Sequence, residues 1–171
     1  MDATQITSCG ERNPDAPIEL DAFSFLIGKW QGTGRAKLGD GKFADFAVSW
    51  IGRYILDGTA IADEFHSLAP DGSPYLGISL RQYDAKRKTW IIEYLNVSNS
   101  FLRRQVNADS GSVTVDGPVV TVSCGASDSM SREHYRVVDH DNWVYSLDAS
   151  NDGGINWNEG QVEMTFRRSE V

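Results

Sequence analysis

After residue 28 the apolar and polar positions show no convincing helical period and fall into short runs between turn residues, several with apolar residues on both faces. The runs KFADFAVSWIG, TAIADEFHSL, YLGISLRQYD and REHYRVVDH carry β-branched and aromatic residues. That pattern predicts short strands with one face toward a core. Further strands are read in WQGTGRAKL, KTWIIEYLNV, SFLRRQVN, SVTVD, PVVTVSCG, NWVYSLDAS and QVEMTFRR. Turn residues separate them at Gly39–Gly41, Pro70–Pro74, Asp84–Lys88, Asp116–Gly117 and His140–Asp141. One stretch departs from this pattern. In LDAFSFLIG, Asp21 offers an N-cap, Phe23, Leu26 and Ile27 an apolar stripe and Gly28 a stop, which predicts one or two helical turns.

Consecutive hairpins of this number form a meander, and a meander this long either exposes its edges or closes on itself. The expected fold is therefore all-β: an antiparallel up-and-down β-barrel of about ten strands with a short N-terminal helix. In KTWIIEYLNV, Trp90, Ile92 and Tyr94 occupy one face and Ile91 and Leu95 the other. The outer face there is left for the helix, a loop or a second subunit, and a homodimer is expected. Residues 1–19 are polar, contain Pro14 and Pro17, and read as an extended arm. Residues 20–171 read as a single domain.

The opening FLIGKWQGTG resembles the G-x-W signature of the lipocalins and the wider calycin group. The resemblance implies that Trp30 packs inside the closed end of a barrel and that a basic residue of the last strand, Arg167 or Arg168, lies across it. Gly32 and Gly34 would then serve bends or bulges in the first strand. The ordered run FLIGKW, GRYILDGTAIADEF, GISLRQYD, KTWIIEY and SNDGGINW is similar to a bacterial calycin-like domain family of unknown function, over most of residues 22–168. In architecture that family resembles the fatty-acid-binding-like barrels and the heme-binding nitrobindins. A heme needs an axial ligand, but no surrounding sequence marks His66, His134 or His140 as a proximal histidine, so no cofactor is expected.

A ligand-holding lumen is mainly apolar and aromatic with a few placed polar groups. Trp50, Phe65, Tyr94 and Tyr145 supply the aromatic walls, together with Trp90, Phe101, Trp143 and Phe166. Asp63 shares a strand face with Ile61 and Phe65, and Arg81 shares one with Ser79 and Tyr83. Paired in a hairpin, Asp63 and Arg81 would meet, either as a structural ion pair or with Arg81 anchoring an anionic or carbonyl group. His66, His134 and Arg136 complete the candidate ligand-binding set, with each imidazole a general acid or base if it points inward. The function expected is binding of a small hydrophobic molecule with an anionic or carbonyl end. The alternative is a cofactor-independent cyclase, isomerase, hydratase or lyase using Asp63, His66, Arg81, Tyr94 or His134.

Other chemistry is poorly supported. The formal net charge is -8, against nucleic-acid binding, and Lys86–Lys88 and Arg103–Arg104 are short basic clusters in an acidic background. Cys9 and Cys124 lack metal-ligand spacing and are expected as thiols. Asp152-Gly153-Gly154 lacks the ligands of a calcium loop and reads as a long hairpin with left-handed glycines. The first twenty residues show no basic segment followed by an apolar run, and no apolar stretch approaches about 20 residues. No membrane association and a cytoplasmic location are therefore expected.

Overall fold

Three apolar residues spaced by three, Leu20, Phe23 and Leu26, explain the first element. A 3-10 helix has three residues per turn, so this spacing sets them in one line. The computed structural model, which describes residues 10–68, 72–96, 98, 101–106, 111–126 and 128–169, shows a 3-10 helix at Ile18–Leu26 with all three side chains fully buried. Burying each is worth about 1.5–3 kcal/mol, enough to hold a helix type that is weak by itself. The helix starts at Ile18 behind Pro17, with no side-chain cap, so Asp21 is not its N-cap. Asp21 instead pairs with Arg12 at 3.0 Å. Part of the expected extended arm is folded onto the domain: Asn13 N–H donates to Gly58 O at 3.1 Å, Arg12 donates to Ala16 O at 2.8 Å, and Ala16 is buried.

Eleven strands follow: β1 (Gly28–Lys37), β2 (Phe43–Ile55), β3 (Ala60–Leu68), β4 (Pro74–Asp84), β5 (Thr89–Asn96), β6 (Phe101–Val106), β7 (Ser112–Asp116), β8 (Val119–Ala126), β9 (Ser129–Asp139), β10 (Asn142–Ser150) and β11 (Asn158–Arg168). They make one sheet in the order β6-β5-β4-β3-β2-β1-β11-β10-β9-β8-β7. Its two ends come together where β6 lies against β8 and β5 against β7. The fold is a nearly closed, antiparallel up-and-down barrel of calycin-like kind, with the helix across one end.

β1 pairs with β2 and β11 without a register shift through Gly32 and Gly34. These glycines therefore serve close approach rather than a bulge, because a side chain at Gly34 would run into the Phe46 ring and Met164. The closed end matches the expectation drawn from the opening motif. Trp30 is buried and donates its indole N–H to Leu26 O at 3.0 Å. Arg168, not Arg167, lies 4.1 Å over its ring and donates to Ile27 O and His140 O at 3.1 and 3.0 Å. In the loop before β11, Gly153 and Gly154 both take left-handed φ. There Asp152 accepts from Ile155 N–H, Asn156 N–H and Ser150 O–H.

Candidate functional site: the barrel lumen

Cross-strand register fixes which side chains enter the barrel. Trp50 stands opposite both Trp30 and Phe65, Asp63 opposite Ser79, Ile61 opposite Arg81, and Ser79 opposite Tyr94. On the far wall Tyr135 stands opposite Tyr145 and Val120, and Trp143 opposite Phe166. These inward rows show a gradient of exposure. Near the helix, Phe23, Ile61, Arg81, Ile92, Tyr135 and Trp143 are each buried. Toward the other end, Phe46, Phe65, Tyr75, Tyr94, Tyr145 and Leu147 face inward yet are half-buried. The inward side chains are therefore least accessible beside the helix and more accessible toward the other end.

The wall is aromatic. Trp50 meets Phe65, Trp143 and Phe166 edge-on at 5.8, 5.4 and 5.7 Å, and Trp143 stacks on Phe166 at 4.0 Å. Phe23 of the helix meets Trp90 at 4.9 Å and Tyr135 at 6.0 Å.

A polar floor interrupts this wall. Arg81 and Asp63, each with a side chain 1% exposed, form an ion pair through Nη1 and Oδ2. Arg81 Nη2 donates to the Tyr135 hydroxyl at 3.2 Å, and that hydroxyl donates to Glu133 Oε2 at 2.7 Å. The guanidinium also lies 5.1 Å from the centre of the Phe23 ring. Arg81 Nε and the indole N–H groups of Trp50 and Trp143 are buried with no hydrogen-bond partner among the described residues. Burial pushes the Tyr135 phenol well up from its ordinary range, Glu133 adds to this, and Arg81 opposes it. Tyr145 is raised by burial and then by Glu133, and Tyr94 by burial and then by Tyr75. All three phenols stay protonated near neutral pH, and Tyr135 donates its proton in a hydrogen bond to Glu133.

Of the residues singled out from sequence, Trp50, Asp63, Phe65, Arg81, Tyr94 and Tyr145 face the lumen, while His66, His134 and Arg136 do not. His66 follows Phe65, so the pleat turns it outward, where it is exposed and 3.4 Å from Glu64. An unbroken ladder from the His140–Asp141 turn would place Arg136 opposite Tyr145, but the register shifts by one residue between Asn142 and Trp143. That irregularity brings Tyr135 opposite Tyr145 and turns His134 and Arg136 outward. His134 then bonds Thr121 Oγ1 at 3.0 Å and Asp148 Oδ2 at 3.1 Å. Glu133 and Tyr135 face the lumen and stand outside the candidate set drawn from the sequence. Cys9 and the Phe101 side chain lie outside the described residues.

A concavity of about 1070 Å³ is lined by outward residues of β1, β9, β10 and β11, among them Arg35, His134, Ser146 and Glu163, and also by Phe46, Tyr145 and Met164 of the inward rows. Its floor follows the register from Arg35 on β1 to Glu163, Ser146 and His134 on the neighbouring strands. Arg35 and Glu163 are already bonded across it at 2.7 Å. Among the described residues, no group of three or more His, Cys, Asp or Glu could hold a metal ion, and no helix is long and apolar enough to cross a membrane.

The chain's structural relatives share this frame. Over 91% of this chain and 100% of the other, it is similar to Rv2717c from M. tuberculosis, with a TM-score of 0.63 and 18% identity. Over 90% and 93%, it is similar to the S-type phycobiliprotein lyase CPES from Guillardia theta, with a TM-score of 0.61 and 9% identity. At these identities the likeness is one of fold. No protein-family model matches the chain, and no curated protein matches it in sequence.

Proposed function

We infer that the lumen binds one small, mainly apolar molecule, entering at the end away from the helix and presenting a carbonyl or anionic end to the Arg81–Tyr135 floor. The observation that carries this reading is the buried donor set: Arg81 Nε and the indole N–H groups of Trp50 and Trp143 have no hydrogen-bond partner among the described residues. A buried donor without a partner costs about 1–3 kcal/mol, which a ligand acceptor would recover. A carbonyl suits the floor better than a free anion, because the charge of Arg81 is already matched by Asp63. Phe65, Tyr94 and Tyr145, half-buried toward the mouth, would flank the apolar part of the ligand.

The test is native mass spectrometry of protein purified without added ligand, followed by titration of tryptophan fluorescence with 2-tetralone, a neutral ketone, and decanoate, an anion. A co-purified mass released on denaturation, or saturable quenching by 2-tetralone that weakens in Tyr145→Trp, is expected. Absence of both a co-purified mass and saturable quenching by either probe would overturn the reading.

A further inference from the structure

Glu133 and Tyr135 are two residues apart on β9, so both point into the lumen, and Arg81 reaches the same point from β4. The Tyr135 hydroxyl donates a hydrogen bond to Glu133 Oε2 at 2.7 Å while its oxygen accepts one from Arg81 Nη2 at 3.2 Å. A phenol has one proton and can turn it to a better-placed acceptor. A ligand carbonyl oxygen arriving beside Tyr135 and Arg81 would take that hydrogen bond, and Glu133 Oε2 would then lose the one it receives from Tyr135. Val122 and Leu147 are the cross-strand neighbours of Glu133, and the Tyr145 phenol lies within its electrostatic reach. Two donors on a carbonyl oxygen and a carboxylate beside its α-carbon are the parts that proton abstraction requires.

We propose that Arg81, Tyr135 and Glu133 form a proton-transfer site acting at the carbon α to the carbonyl of a small apolar ketone; this rests on the ligand-binding reading above. Glu133 takes the α-proton. The C–H electron pair becomes the C=C bond to the carbonyl carbon, and the carbonyl π pair moves onto the oxygen, which Tyr135 and Arg81 hold by hydrogen bonds. The proton on Glu133 then returns to the same carbon, or to a conjugated one, which shifts the double bond and restores the carboxylate. No oxidant, metal or second substrate enters the balance. Asp63, locked to Arg81, positions the guanidinium and does not touch the substrate.

The experiment uses 2-tetralone in D2O, with binding followed by tryptophan fluorescence and exchange of the α-protons by NMR. The wild-type protein should accelerate exchange by about 100-fold or more over buffer at the same pH, within the usual range for a positioned base. Glu133→Gln should lose that acceleration while still binding 2-tetralone, and Tyr135→Phe should lower exchange more than binding. Arg136→Ala, on the outer face, should leave exchange unchanged. Should Glu133→Gln fail to fold, Glu133→Asp carries the comparison, since a shortened carboxylate should slow exchange and spare binding. Saturable binding without accelerated exchange, or acceleration that survives in a folded Glu133 variant, overturns the proton-transfer site and leaves the binding reading standing. No saturable binding of 2-tetralone overturns the proton-transfer site, and the binding reading falls with it only if decanoate also fails to bind and no mass co-purifies.

Discussion

Replacing Asp63 with Asn would leave the Arg81 guanidinium, 1% exposed, without its counter-ion. The change keeps side-chain volume, so cavity formation adds little and the effect isolates the charge. Its remaining partners are the Tyr135 hydroxyl and the face of the Phe23 ring, neither of which carries a full negative charge. Removing one member of a buried pair typically costs about 3–5 kcal/mol, a large part of the roughly 5–15 kcal/mol that holds a domain folded. With a urea dependence of about 1–3 kcal/mol per molar, the unfolding midpoint should fall by on the order of 1–5 M. The double variant Asp63→Leu with Arg81→Met removes both charges and should recover most of the loss, since apolar replacements of such pairs are often neutral or better. Urea unfolding followed by far-UV circular dichroism measures both. A folded Asp63→Asn variant within about 1 kcal/mol of wild type, or a double variant no better than the single, would refute the view that this pair is dry and mutually dependent.

Arg168→Ala removes the cation over Trp30 and two hydrogen bonds to carbonyl groups, and should lower stability by about 1–2 kcal/mol in thermal unfolding. Gly52→Ala should cost about 1–3 kcal/mol, because a side chain there meets the carbonyl of Leu26 at the end of the helix, whereas Gly39→Ala, with open space around it, should be nearly silent. Asp152 is held down to about 2 by hydrogen bonds from Asn156 and Ser150. Since its folded value lies below the ordinary value of about 3.9, its contribution is present above that pH and is lost as pH falls toward 2. A carboxyl NMR titration should show that midpoint together with loosening of the loop before β11, and an ordinary midpoint would contradict the assignment.

The barrel was legible because its causes are local. Short strand-like runs, hairpin residues and the Gly28-Lys29-Trp30 opening each act within a few residues, and the meeting of Asp63 with Arg81 followed from one hairpin. Two losses came from different physics. His66 was separable by parity alone, since Ile61, Asp63 and Phe65 already claimed the inward face. His134 and Arg136 were not, because a single irregularity near the β9–β10 turn reverses every side chain before it, and no residue there announces it. The shifted register is what sets Tyr135 against Tyr145 and brings the Glu133–Tyr135 couple inside. The concavity lined by Arg35, His134 and Tyr145 depends on how the closed sheet curves, which no pattern along the chain records.

The pairing of β1 with β11 also constrains how the protein is made. Arg168 bonds to the carbonyl of Ile27, 141 residues earlier, and the two strands run side by side from Trp30 to Ala36. On a ribosome, β2 to β5 can pair with their neighbours as they emerge, but one edge of β1 has no partner until β11 has been synthesised. Non-local pairing of this kind slows folding, and an unpaired edge is a site for association with other chains. The glycines of β1 and the charges of Lys29, Arg35 and Lys37 sit on a strand that waits for its second partner, and low strand propensity and edge charge are features that oppose pairing between copies. The same pairing that completes the native barrel thus makes its earliest strand the most vulnerable during synthesis.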